Sequence, residues 1–483
     1  MLLQIILYGI GWSIYNVYFH PLAKFPGPIL YAASYLPFYW TLGRGDLVSK
    51  SRELHERYGS VIRVNPNMLY FTDAQAWKQI HGHRQGKRLM IRDSGFYFNK
   101  NNGAADIVRS NDADHTRIRK LLSHGFSEQA LRDQEPLIMT YVNLLIQKLC
   151  EQSQKSKAID IVRWLNFTSF DIIGDLCFGE PFGGLQNQEY HSIVSNIFKS
   201  FKHAQYLVIA NAYPPAPALM AAIMKLFGIE NHTKRQAHRD FCTKAIDKRT
   251  SIQTDRKDFM AQILRYNDEK GMTQQEIIGT VAGLISGGSE TIATLLSGAI
   301  FYLLKSPYSL NKINKEIRST FKSEEDIVFS SVLSLPYLQA VLDESLRIYP
   351  PVPGALHRRT PPEGDIIDGY KVPGNVVVGI PQWTTNHSAQ NFRDPDAFIP
   401  ERWLGDARFA NDNRAAVQPF SIGARNCVGK NLAYAEMRII LCRLLWRFDM
   451  TLCHESSDWA SQKTWYLWSK EELKVSLRDR LAV

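Results

Sequence analysis

The stretch Phe420-Ser421-Ile422-Gly423-Ala424-Arg425-Asn426-Cys427-Val428-Gly429 places one cysteine between two glycines, just ahead of a long apolar run from Asn431 to Phe448. The run predicts a helix, so Cys427 falls at a helix N-terminus. There the dipole is positive and backbone N–H groups are unpaired. Both effects favour thiolate over thiol. A buried free cysteine is the plain alternative, and a lone cysteine would imply nothing more. Here Phe420, Gly423, Arg425, Cys427 and Gly429 stand at a set spacing that a core thiol does not need. A thiolate on a glycine-supported loop, with an aromatic ring nearby and an arginine two residues back, reads as an axial ligand for haem iron. The glycines let a flat ring approach the backbone, and Arg425 can pair with a haem propionate.

The rest of the chain bounds that reading. It has 483 residues, 45% hydrophobic and 22% charged, which is ordinary globular composition with ample core. No Gly/Ser or acidic linker and no internal repeat divides it, so one large domain is expected. Lys plus Arg number 57 and Asp plus Glu 47, a net charge of +10. Anionic lipid or an acidic protein partner suits this balance. Nucleic acid does not, because zinc-finger spacing and long Lys/Arg runs are missing. Cys150, Cys177, Cys242, Cys442 and Cys453 show no CxxC spacing and read as reduced thiols.

Leu2 to Phe19 carries no charge. As a helix of about 18 residues it spans roughly 27 Å, enough for the thin core of an endoplasmic-reticulum bilayer. Trp12, Tyr15 and Tyr18 suit an interface belt. A cleaved signal peptide would want a basic n-region and a small-residue cleavage site, and Phe25-Pro26-Gly27-Pro28 follows instead. Residues 1–20 are therefore expected to be a single transmembrane anchor, 21–30 a stiff proline-rich linker, and 31–483 one catalytic domain on the cytoplasmic side.

Further on, two apolar runs around Asn65-Pro66-Asn67 predict a hairpin, and Ala74 to His81 a helix. Arg92 to Asp114 is polar and irregular, as functional loops often are. His115 and Arg119, four apart, share a helix face that could be a solvated basic surface. Lys202 to Ile229 is apolar but broken by Pro214, Pro215 and Pro217; core helices around a loop and a second membrane contact both fit. The basic stretch from His232 to Lys257 reads as a solvated face.

Thr273-Gln274-Gln275-Glu276 is a capping box that opens a helix, and Pro307 closes it. Between Ile277 and Leu304 the only charge is Glu290. Alone this passes for a membrane span with Gly283 and Gly287 as a packing face. Yet Gly287 and Gly288, each costing roughly 1 kcal/mol in a helix, stand beside Glu290 and Thr291 at mid-span. They make sense if something flat or small lies against the backbone. Pro336 to Tyr349 predicts a helix on which Glu344 and Arg347 can pair. Ile366 to Pro381 reads as strands turned at Asp368-Gly369 and Pro373-Gly374. Trp465 to Trp468 is either a strand on the core or a loop over a site.

The cysteine stretch matches in full the haem signature of the cytochrome P-450 family, and the resemblance covers almost the whole chain. It is most similar to fungal microsomal members. The resemblance implies a mainly α fold with small β-sheets and a haem b (iron protoporphyrin IX) bound through Cys427. It implies that His115, Arg119, Arg358 and Arg425 contact propionates, with Phe420 and Gly423 shaping the proximal loop. Glu290 and Thr291 fall on the family's oxygen-handling stretch, Thr291 for oxygen and Glu290 for a proton-delivery chain. Ile292 departs from it, standing where many members carry a second hydroxyl. Glu344, Arg347 and Arg402 of Pro400-Glu401-Arg402-Trp403 match a buried structural network. His357 stands where a proline is frequent.

These readings converge on a membrane-anchored haem-thiolate monooxygenase that hydroxylates or epoxidises an apolar small molecule. The residues around Arg132 resemble fungal hydroxylases of secondary metabolism, including those of trichothecene type, which implies a terpenoid or polyketide substrate. No dinucleotide fingerprint is present, so electrons are expected from a separate NADPH–cytochrome P-450 reductase, with cytochrome b5 as an alternative donor. Lys120, Lys430 and Arg438 are docking-face candidates. The rivals are oxygen-independent or peroxide-driven chemistry on the same fold, a non-catalytic haem sensor, and a multi-span transport protein using Ile277 to Leu304.

Overall fold

The computed structural model describes residues 2–84, 86, 89–97, 106–212, 231–252, 255–267 and 271–482. The expectations for 98–105 of the polar loop and for 213–230 of the proline-broken apolar run lie outside the described residues.

The described chain is mostly helical, with small sheets, as expected. At its centre lies the helix Gln274–Lys305, opened by the predicted capping box: Thr273 Oγ1 accepts from Glu276 N at 3.3 Å and Glu276 Oε2 from Thr273 N at 2.8 Å. It packs along the helix Ile161–Phe178, of which nearly every residue is buried. Each fully buried Leu or Ile there contributes about 1.5–3 kcal/mol. Among the described residues Gln274–Lys305 is the one helix long and apolar enough to cross a membrane, and 78% of its most apolar window is buried in the protein. It is a core helix, which removes the multi-span transport reading.

The helices Pro336–Ile348 and Lys430–Arg447 pack on the same central helix. The predicted hairpin is present, with Val61–Asn65 antiparallel to Met68–Phe71. It belongs to a five-stranded sheet continued by Val377–Gly379, Arg358–Arg359 and Ile91–Arg92. The last pairing sets Arg92 opposite Arg358. Like charges facing each other across antiparallel strands are unfavourable unless an anion joins them.

The N-terminal helix Leu2–Ile14 runs into a π-helical segment Tyr15–Phe19 and leaves Leu3, Leu7, Tyr8, Tyr18 and Phe19 exposed. Its C-terminal end is fastened to the domain. Asn16 is fully buried and donates to Ala33 O at 3.1 Å. The buried Arg63 guanidinium donates to Asn16 O at 2.8 Å and to Pro66 O at 2.7 Å.

Candidate active site at the cysteine loop and the central helix

The cysteine loop is drawn tight by its own backbone. Cys427 N donates to Phe420 O at 2.8 Å, so the loop closes on itself before the helix Lys430–Arg447 begins. Gly423 has φ +77°, and a Cβ there would lie 2.0 Å from His81 O. Its glycine is therefore required by the backbone of residue 81. The sequence reading gave the approach of a flat ring as the reason for this glycine; the His81 carbonyl supplies another, independent of any ligand. Phe420 stacks obliquely on Tyr434, ring centres 5.3 Å apart, with Lys430 over its face.

Cys427 itself is exposed although the protein crowds closely around it. Burial by the surrounding protein pushes its thiol up, against the pull of the Gly429 N–H, Arg119 and Lys430. The helix-end effects named from sequence are thus present but outweighed in the protein alone. A metal cation beside the sulfur reverses that balance, because a coordinating thiol is deprotonated outright.

Above this loop the fold gathers cations. Arg425 bonds Asp112 at 2.7 Å and Ser110 O at 2.8 Å, and its Nη1 is buried with no partner. Arg358 is buried, with Nε 3.3 Å from His81 Nδ1, and burial followed by repulsion from Arg92 and Arg425 lowers it to about 10. Arg92 has a buried, unpartnered Nη1, and His81 a buried, unpartnered Nε2. His115 is lowered to about 4 by burial and by Arg425, Arg92 and Arg119, so it stands neutral. Arg359, next in sequence to Arg358, is by contrast paired with Asp93. Buried guanidinium groups lacking counter-ions are strongly unfavourable. The unpartnered donors of Arg92, Arg425 and His81 would suit the carboxylates of a bound ligand, chemistry that two propionates would supply. Sequence reasoning missed Arg92 and His81; the signal for Arg92 was its strand register against Arg358.

Arg119 is engaged with the cysteine loop. Its guanidinium holds the carbonyl and side-chain oxygens of Asn426, one residue before Cys427. It clamps the cysteine loop.

The central helix presents two different faces. Gly283, Gly287 and Thr291 fall four apart and share one face. A Cβ at Gly283 or Gly287 meets nothing within 4 Å, and Gly287 is exposed in mid-helix. Gly288 is different: its Cβ would meet Ile173 Cδ1 at 2.8 Å. One glycine lines open space and its neighbour packs helix on helix. Thr291 Oγ1 donates to Gly287 O at 2.6 Å on the open face. Glu290 turns into the protein, where Lys470 Nζ lies 2.6 Å from Oε1. Burial raises the Glu290 carboxyl and Lys470 opposes the rise. Lys470 was not foreseen from the sequence.

The structural network is as expected and larger. Glu344, Arg347 and Arg402 have no exposed side-chain surface. Arg347 binds Glu344 at 2.7 Å and Arg402 binds it at 3.1 Å. Asp412 at 2.6 Å from Arg402 and the Trp403 indole at 2.9 Å from Glu344 complete it. Of the docking candidates, Lys120 and Lys430 are exposed, whereas Arg438 is turned onto Gln339 at 2.6 Å.

Comparison with known proteins agrees with this geometry. The family model described as Cytochrome P450 matches residues 26–477. Cytochrome P450 monooxygenase aclL of Aspergillus oryzae is 45% identical over 98% of this chain and 96% of its own. Cytochrome P450 monooxygenase astA of Talaromyces wortmannii is 44% identical over 97% and 94%. The Trichothecene C-4 hydroxylase of Trichoderma arundinaceum is 41% identical over the same shares. A loop with an exposed cysteine, a cation cluster above it and a glycine-lined helix face, carried on a sequence this similar throughout, show that the chain belongs to the cytochrome P450 family of monooxygenases.

Proposed function

We propose that this oxidoreductase hydroxylates or epoxidises an apolar fungal secondary metabolite, a terpenoid or polyketide, with haem b held by Cys427. The single observation that supports the site most directly is the cluster of buried, unpartnered donors on Arg92, Arg425 and His81 above an exposed Cys427. Arg358, Arg425, Arg92, His81 and His115 would hold the propionates, and Arg119 would fix the loop through Asn426. Bound there, haem supplies the oxidising chemistry, with thiolate donation favouring O–O cleavage. The chain's own part is positional. The Gly283–Gly287 face leaves room for a flat or small group against the helix. Thr291 carries a hydroxyl on that face, and Glu290 a carboxyl whose raised proton affinity suits proton delivery near neutrality. The presence of both argues against the oxygen-independent and peroxide-driven alternatives, and reductase-dependent oxygen uptake would exclude a haem sensor.

Electrons would come from NADPH–cytochrome P450 reductase, docked at the basic face that includes exposed Lys120 and Lys430. The N-terminal helix Leu2–Ile14 would anchor the protein in the endoplasmic-reticulum membrane, with exposed Leu3, Leu7 and Tyr8 facing lipid, the domain in the cytoplasm and Asn16 held within that domain. The relative named as a trichothecene hydroxylase supports a terpenoid substrate. The test is the reduced, CO-bound absorption spectrum of the full chain co-expressed with a reductase, followed by feeding of pathway intermediates. A thiolate-type band and an oxygenated product are expected; a CO complex lacking that band overturns the ligand assignment.

A further inference from the structure

Lys470 follows a hairpin formed by Thr464–Trp465 and Leu467–Trp468. Its turn is one residue, Tyr466, with φ +64°. A bulky residue in that region persists only where the surroundings over-determine it. The surroundings here do. Trp468 Nε1 donates to Pro350 O at 2.8 Å and its ring stacks on Tyr349 at 4.7 Å. Thr464 N donates to Gly45 O, and Ser469 N to Lys463 O, both at 2.9 Å.

The strongest restraint is on the C-terminal side. Lys470 Nζ lies 2.6 Å from Glu290 Oε1 and 2.6 Å from Thr294 Oγ1, with both charged side chains almost fully buried. Glu290 and Thr294 are four apart on the central helix, so Lys470 binds one helical face at two points. Thr291, the next residue after Glu290, lies on the open face. Asp160 also faces Lys470, and Tyr190 and Tyr349 face Glu290. Glu290 Oε2 is buried with no partner.

We propose that Lys470 is a positioning residue: its ammonium fastens the Thr464–Trp468 hairpin to the central helix and holds the Glu290 carboxyl in place beside Thr291. The hairpin and the proton-handling residue are then one mechanical unit. This rests on the roles proposed above for Glu290 and Thr291. Burial already favours the neutral acid at Glu290, and Lys470 counters it; without Lys470 the carboxyl ionises only at higher pH.

The test compares wild type, Lys470→Met, Lys470→Arg and Glu290→Gln/Lys470→Gln as full-length haem-loaded protein. Hydrogen exchange of residues 463–470 reads the fastening. The pH profile of NADPH-driven peroxide release with a reductase reads the carboxyl. Lys470→Met is expected to speed exchange in that segment about tenfold or more and to move the Glu290 limb of the profile to higher pH. Lys470→Arg should restore slow exchange, and the double variant should lose the limb. Unchanged exchange in Lys470→Met, or a profile that superimposes on wild type after scaling, overturns the proposal. If Lys470→Met does not fold, a limb that persists in the double variant overturns it instead. A wild-type protein without the thiolate-type CO band would sink the haem assignment, while the exchange comparison would still judge the fastening.

Discussion

Arg358 and Arg359 are neighbours in sequence with opposite circumstances. Arg359 has Asp93; Arg358 has a neutral histidine and two other guanidinium groups nearby. Arg358→Ala is therefore expected to weaken haem retention by about 1.5–3 kcal/mol, the range for bonds to charged groups, whereas Arg359→Ala should leave it nearly unchanged. Haem transfer to an apo-globin acceptor measures both. At Cys427, replacement by Ala should abolish the thiolate-type CO band, and Cys453→Ala, half-buried away from the loop, should keep it. Gly423→Ala meets two obstacles at once, a left-handed backbone and the His81 carbonyl. A loss of at least about 2 kcal/mol is expected in denaturant unfolding, together with poor haem incorporation.

At the scale of elements, the central helix separates a packed glycine from an open one by about 100° of rotation. Gly288→Ala would press on Ile173 and should lower the thermal midpoint, while Gly287→Ala projects into open space and should raise helix stability by up to about 1 kcal/mol. Only the second should alter the spectral titration with an azole ligand. That helix was legible in the sequence because capping box, length and lone charge are local signals. So were the hairpin at Asn65-Pro66-Asn67 and the helix after Cys427, each set by residues adjacent in the chain. What could not be read was long-range pairing. Lys470 meets Glu290 across 180 positions, and Arg92 meets Arg358 only because two short strands lie side by side. Asp412 and the Trp403 indole join the Glu344 network for the same reason. The cysteine loop was legible as a motif, yet the approach of Gly423 to the His81 carbonyl was not, since His81 is far away in sequence.

For the whole molecule, buried neutral histidines set an acid limit. Burial lowers His55 to about 4, and His357 and His387 to about 3. In the unfolded chain each titrates near 6.5. Below that value the unfolded state takes up more protons than the folded one, so stability falls as pH falls, by up to about 1.4 kcal/mol per pH unit for each such group. The urea midpoint is expected to drop steadily from pH 6.5 toward pH 4.5; a flat profile would contradict it. A different consequence follows from Asn16. Cutting away the apolar N-terminus would remove the exposed side chains of Leu3, Leu7 and Tyr8. A cut after residue 20 would also remove the carbonyl that receives the Arg63 guanidinium and the amide that holds Ala33. It would leave a buried cation short of an acceptor inside the first sheet. A version that begins at Tyr15 sheds the helix Leu2–Ile14 and keeps both bonds, so the place to divide the exposed helix from the domain lies inside the apolar segment.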